Sequence, residues 1–206
     1  MKIDLHVHSK ERSICGRASE EEQIRAAIDS GLDAIVFTDH HRLISSERLR
    51  QLNEKYAPFR IFGGVEITTA DGEDVLVLGV QDPALESVSW TYPALHAFVR
   101  ARGGFIALAH PFRWHSNVTL DLERFAPDAI EVGSINTSPN AEGRIRDIAS
   151  RLGIPVLCNS DAHNTGPLGM YFNALERPPA DEQDLVALLR SGQFWCSSPG
   201  RGGPSS

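Results

Sequence analysis

Short apolar runs rich in branched residues alternate along this chain with stretches of helical period. The first run is IDLHV at 3–7. ASEEEQIRAAIDSG follows, where Ser19 is placed to cap a helix and Glu22 completes a capping box. Ile24, Ala27 and Ile28 share one face of that helix, and Gly31 ends it. AIVFT at 34–38 predicts a second strand, and SSERLRQLNEKY at 45–56 a second helix with Leu49, Leu52 and Tyr56 along one side. FRIFGGVEIT at 59–68 and DVLVLGV at 74–80 read as strands paired across a turn at Asp71–Gly72. PALHAFVRARGG at 93–104 predicts a helix with Leu95, Phe98 and Val99 inward, and FIALAHP at 105–111 a strand stopped by proline. A strand at 129–133, a helix at 140–153, strands at 155–160 and 169–175, and a helix at 181–192 complete the series.

This alternation predicts parallel βα units in one domain over residues 1–197, as an open sheet or a barrel. Residues 198–206 lack apolar positions and are expected to be a disordered tail. No GxGxxG or Walker-type loop follows any strand, which disfavours a nucleotide-binding doubly wound sheet.

Composition narrows the function classes. A chain of 206 residues can bury roughly 70% of its unfolded surface, so it needs no disulfides to hold a core. The net charge of −7 argues against a broad basic surface, so a nucleic-acid partner is disfavoured rather than excluded. Cys15, Cys158 and Cys196 are odd in number and widely spaced. They form neither a zinc-finger pattern nor a disulfide framework, and they fit a reducing compartment. No apolar run resembles a signal peptide or a membrane span, so a cytoplasmic location and no membrane partner are expected. Oligomeric state is not readable from the sequence.

Chemistry concentrates where the predicted strands end. His6 and His8 end the first strand, Asp39, His40 and His41 follow the second, and Glu66 lies late in the third. His110 follows FIALA, and Asp161 and His163 follow PVLCNS. In parallel α/β folds the C-terminal strand edge is where βα loops converge into active sites. His6 and His8, two apart and so ~7 Å along a strand, share a face and can grip one ion together. A carboxylate such as Glu66 inside an apolar strand needs a partner or a metal. Any one of these residues alone could be structural; their joint placement at one edge points to a metal centre. Imidazole mixed with carboxylate suits Zn, Mn or Fe. The donors are too many for one tetrahedral ion, and Glu66 is placed to bridge two.

The ordered set DLHVHS, TDHH, GVEIT, AHP and NSDAH, within residues 3–175, resembles the polymerase and histidinol phosphatase (PHP) family of metal-dependent phosphoesterases. The resemblance implies a distorted (β/α)7 barrel with two or three divalent ions at its C-terminal mouth. His6, His8 and Asp161 match ligands of a first ion, Glu66 the bridging glutamate, and His110 a ligand of a second. His40 and His163 match ligands of a third. Asp4 and Asp39 match acidic positions behind the ligands, with Asp4 either orienting an imidazole or making a structural hydrogen bond.

Two positions depart from the family's pattern. Where many members carry aspartate or histidine after the first motif, this chain has Cys15, either a thiolate ligand or a small packed residue. The histidine that many members carry between the glutamate strand and AHP is missing from GEDVLVLGVQDP. His96 lies opposite the apolar face of its helix and is expected to face solvent.

The implied reaction is hydrolysis of a small phosphorylated metabolite or nucleotide by metal-activated hydroxide. Either His163 or His40, if not fully engaged with metal, would protonate the leaving alkoxide. Arg113, three residues after His110, is either a phosphate fork or a surface arginine. Arg17, His41, His115 and Asn164 are weaker substrate candidates on the mouth loops, and Trp114 either lines the pocket or packs on its rim. The alternatives are an exonuclease-like phosphodiesterase and a non-catalytic metal-binding regulatory module.

Overall fold

Local chemistry marks where the helices begin. Ser19 accepts the backbone N–H of Glu22 at 3.3 Å, and the Glu22 carboxylate accepts that of Ser19 at 2.7 Å, which starts α1 (Glu20–Asp29). Ser45 caps α2 (Ser46–Tyr56), and Asp181 caps α5 (Glu182–Ser191). Between them lie α3 (Tyr92–Ala101) and α4 (Glu142–Leu152). The apolar faces match the periodicity except at Ile28, which is 40% exposed. The computed structural model describes residues 1–87 and 89–199, so most of the expected tail, 200–206, lies outside the described residues.

Among the described residues nine strands form one sheet: β1 (Lys2–Val7), β2 (Ala34–Phe37), β3 (Arg60–Thr68), β4 (Asp74–Leu78), β5 (Phe105–Leu108), β6 (Ala129–Gly133), β7 (Val156–Cys158), β8 (Phe172–Leu175) and β9 (Phe194–Ser197). Their order is β7-β6-β5-β4-β3-β2-β1-β8-β9, and the sheet curls into a nearly closed barrel. The β1–β2, β2–β3, β5–β6 and β6–β7 pairs are parallel. The rest are antiparallel: the β3–β4 hairpin agrees with the pairing expected across the turn at Asp71–Gly72, whereas β4–β5, β1–β8 and β8–β9 depart from the expected parallel units. Residues 69–73 are too short for a crossover, so β4 must fold straight back on β3. The sequence reading did not anticipate β9, which pairs with β8.

Curling brings the two edge strands together. Cys158 at the end of β7 and Cys196 in β9 have Cα atoms 5.1 Å apart and form a disulfide across the seam. This corrects the expectation of unpaired cysteines. The two residues are 38 positions apart, and their proximity depends on barrel closure, which cysteine spacing does not encode.

Apolar layers occupy both sides of the sheet. Ile3, Leu5, Val36, Leu76 and Phe105 join the α5 residues Leu185 and Leu189 in one cluster. A second cluster packs α3 and α4 on β3 to β6, and a third packs α1 and α2 on β1 to β3. Among the described residues no helix is long and apolar enough to cross a membrane.

Candidate metal centre

The strand ends deliver their polar residues to one point. Isolated bridges extend the ladder there, pairing Val7 with Ala162 and His40 with Glu66. His6, His8, Glu66, His110 and Asp161 are all buried, while His40 and His163 are partly open. His110 and Asp161 have positive φ values of 24° and 52°, so the backbone turns sharply at both positions. Such strained conformations concentrate at functional sites.

Glu66 Oε2 lies 3.3 Å from His6 Nε2, 3.2 Å from His8 Nε2 and 3.1 Å from His40 Nδ1. Its other oxygen lies 3.0 Å from His110 Nε2. Asp161 Oδ1 lies 3.3 Å from His6 Nε2 and 3.1 Å from His8 Nε2, and Oδ2 lies 3.8 Å from His110 Nε2. Yet His6 Nε2 and Glu66 Oε2 are buried with no hydrogen-bond partner. Donors about 2.1 Å from a shared ion stand roughly 3.0–3.4 Å apart, which is the spacing seen here. The residues therefore fit divalent cations held by imidazole and carboxylate. Three compact donor groups overlap at the centre: His6, His8 and Glu66; His6, His110 and Asp161; Glu66, Asp74 and His110.

The electrostatics agree. Burial alone depresses the His6 and His8 imidazoles, but Asp161 and Glu66 outweigh it. His6 is held well above its ordinary value and His8 is raised to about 9. Burial works to raise Glu66 and Asp161, but the surrounding histidines hold both well below the usual carboxylate range. His40 and His163 are lowered, first by burial and also by the positive charge of His8. Without a metal this cluster holds protons between its carboxylates; metal ions would replace them.

A family model described as PHP domain matches residues 4–125, and one described as PHP-associated matches 139–194. The chain belongs to the PHP family. It is thus a member of a family of metal-dependent phosphoesterases. The PHP fold is also seen in its structural neighbours. PsfC from Pseudomonas syringae is 22% identical, with a TM-score of 0.72 over 97% of this chain and 91% of that one. A two-domain protein from Bacteroides vulgatus, described as containing a predicted PHP-like metal-dependent phosphoesterase, is 18% identical with a TM-score of 0.73. The match covers 96% of this chain and 64% of that one. An amidohydrolase from Chromobacterium violaceum, described with bound sulfate and no metal, is 16% identical with a TM-score of 0.64, over 95% and 98% of the two chains. No curated protein matches the chain closely.

Within this PHP domain, residues flanking the donors take distinct places. Arg113 Nη1 is 3.3 Å from Asp161 Oδ2 and 3.4 Å from His110 Nε2, and its guanidinium lies 4.6 Å from the exposed Trp114 ring. Asp39 faces the 9–13 loop instead of the donors. It accepts from Ser9 N at 2.7 Å, Ser13 Oγ at 2.7 Å and Arg12 Nε at 2.8 Å. Ser13 Oγ in turn sits 3.3 Å from His8 Nδ1. Asp4 accepts backbone N–H groups of His6 and Ser160, each at 3.1 Å, so its contact is with the backbone and not with an imidazole.

The weaker substrate candidates do not converge. His41 Nε2 accepts Thr68 N at 3.3 Å, and Asn164 Oδ1 accepts Gly166 N at 3.0 Å. His115 lies against the Gly72 turn near Glu73. The Arg17 side chain is exposed, and its backbone N–H reaches His163 O. His96 is half-buried, contrary to expectation, with Nε2 3.0 Å from Ala126 O and its ring against Phe125.

Sequence reasoning missed four contributors. Glu131 Oε2 lies 3.1 Å from His6 Nδ1 and accepts Asn159 Nδ2 at 2.9 Å. Asn136 Nδ2 reaches Asp161 Oδ2 at 2.5 Å. Asp74 Oδ2 is 4.0 Å from His110 Nε2. It stands on the strand where the family's additional histidine is missing, two positions from Leu76, which pairs with Glu66. Glu131 carried the signal that singled out Glu66, a carboxylate inside an apolar strand. Asp74 carried a weaker one, an acidic residue opening such a strand.

Proposed function

We propose that this PHP domain hydrolyses a small phosphorylated metabolite or nucleotide. One observation supports this most: five imidazoles and two carboxylates converge at the strand ends with the Arg113 guanidinium at their edge. His6, His8, Glu66, Asp161 and His110 would hold the first ions, with Asp74 as a further carboxylate. When bound, such ions neutralise phosphoryl oxygens and make water acidic enough to act as a nucleophile near neutral pH.

The chain's own residues position the ester. Arg113 is partly exposed, and its fork suits phosphate oxygens bidentately. Its attraction to Asp161 and its stacking against Trp114 restrict its rotamers, so little order is lost when phosphate binds. The side chains of His40 and His163 are 32% and 19% exposed, the most open imidazoles of the cluster, and either one, when it holds no ion, is suited to pass a proton to the departing alkoxide. A cleft of about 640 Å³, lined in part by Ile14, Cys15, His40, His41 and Thr68, leaves room for a small leaving group. The sulfate described for the Chromobacterium violaceum neighbour shows that a tetrahedral anion binds that protein, which is in keeping with this reading.

The test is metal-reconstituted protein against phosphomonoesters, phosphodiesters and an amide control. The expected result is metal-dependent phosphate release that Asp161→Asn abolishes. Stoichiometric metal with no turnover on any phosphoester would instead support a regulatory binding module, and amide turnover alone would replace the phosphoester reading.

A further inference from the structure

One donor group adjoins the carboxylate-rich centre and shares His8 with it. Donor atoms of His8, Cys15, His40 and His163 all lie within 4.8 Å of one another. Cys15 is a free, exposed thiol on the loop after β1. That loop is built tightly. Ser13 N donates to Ser9 O at 2.9 Å, Gly16 N to Ser13 O at 3.0 Å, and Arg17 N to His163 O at 2.7 Å. A Cβ at Gly16 would lie 2.5 Å from the carbonyl carbon and oxygen of Ser9, so only glycine allows this close return. The residue just before Gly16 is therefore carried to His163 by the backbone itself.

The imidazoles are arranged to suit. His163 Nδ1 is 3.0 Å from the carbonyl oxygen of Asp161, a contact that calls for the Nδ1–H tautomer and leaves Nε2 with its lone pair. His8 is engaged elsewhere, with Nδ1 against Ser13 Oγ and Nε2 toward Asp161 and Glu66. Cys15, His163 and His40, whose Nδ1 also lies 3.1 Å from Glu66 Oε2, remain as one sulfur and two nitrogen donors, with a side open to the cleft. Three protein ligands with an open position are a common zinc arrangement in catalytic sites.

We propose that Cys15 is a thiolate ligand which, with His40 and His163, forms a zinc-selective site beside the carboxylate-rich positions. This inference rests on the metal-centre reading above and specifies the metal at one position. Thiolate favours zinc or cobalt over manganese, whereas the Glu66 and Asp161 positions accept harder ions.

Cobalt is the probe. Metal-free protein titrated with Co²⁺ is expected to develop a near-ultraviolet thiolate-to-cobalt charge-transfer band. Cys15→Ser abolishes that band and removes one bound zinc per chain, while a Cys158→Ser, Cys196→Ser double variant keeps the band. Cys15→Asp retains a third ion but shifts the preference toward manganese. Bound zinc also protects Cys15 from alkylation. If Cys15→Ser binds the same number of cobalt ions with an unchanged spectrum, the inference is overturned and the metal centre stands. If unsubstituted protein binds no transition metal, both are overturned.

Discussion

His6 Nδ1 lies 3.1 Å from a carboxylate oxygen of Glu131, a residue 125 positions later in the chain and fully buried. Glu131 thus orients the imidazole whose other nitrogen faces Glu66 and Asp161. Groups in this position hold the tautomer and raise ligand basicity, and their loss usually costs about 10- to 100-fold in metal affinity. Glu131→Gln is expected to weaken the tightest ion by that factor, measured by competition with a chromophoric chelator. Unchanged affinity would show that Glu131 is only a packing residue.

Metal removal should destabilise the fold. The centre crowds Glu66, Asp161, Glu131 and Asp74 into a buried volume that only protons or cations neutralise. Ligand at 1,000 times its dissociation constant stabilises by about 4 kcal/mol, which for a domain of this size raises Tm on the order of 10 °C. Scanning fluorimetry with and without chelator checks this, and His8→Ala should show a much smaller metal response. Identical responses in the two proteins would exclude His8 as a ligand.

Asp4 gives the metal-free protein a pH dependence of definite sign. Burial raises its carboxyl from 3.8 to about 7, against the opposing hydrogen bonds from Ser160 and His6. A carboxyl raised in the folded state contributes stability that is full below the unfolded value and lost as pH rises through the folded one. Its contribution therefore declines between about pH 4 and pH 7. Urea unfolding of chelated protein should show Asp4→Asn improving relative to wild type as the pH rises across that window. A constant difference between the two proteins would remove Asp4 as the source.

Arg113 is expected to act on substrate affinity more than on the fold. A charge-assisted hydrogen bond is worth about 1.5–3 kcal/mol, so Arg113→Ala should lower kcat/KM by roughly 10- to 100-fold. Most of that loss should appear as a higher KM, with metal content and Tm nearly unchanged. Arg113→Lys keeps the charge without the fork and should recover only part of it. Loss of bound metal in Arg113→Ala would mean that the residue supports Asp161 instead of phosphate.

Much of the centre was legible because strands end where chemistry begins. DLHVHS, GVEIT and NSDAH carry residue types that apolar strands rarely tolerate without a partner, and each names its own position. Helix starts were equally local: Ser19 and Glu22 meet through bonds spanning three residues.

What the sequence determined by itself was therefore the local part: strand and helix periods, caps, and the donor residues at the strand ends. Tertiary structure decided which distant groups meet. Glu131 reaches His6, Cys196 reaches Cys158, and Cys15 reaches His163 only because a nearly closed barrel brings strand ends and edges together. The antiparallel pairings of β5 with β4 and of β9 with β8 likewise follow from how the sheet curls and closes. Hydrophobic period reports which face of an element is buried, whereas register and curvature decide what that face meets.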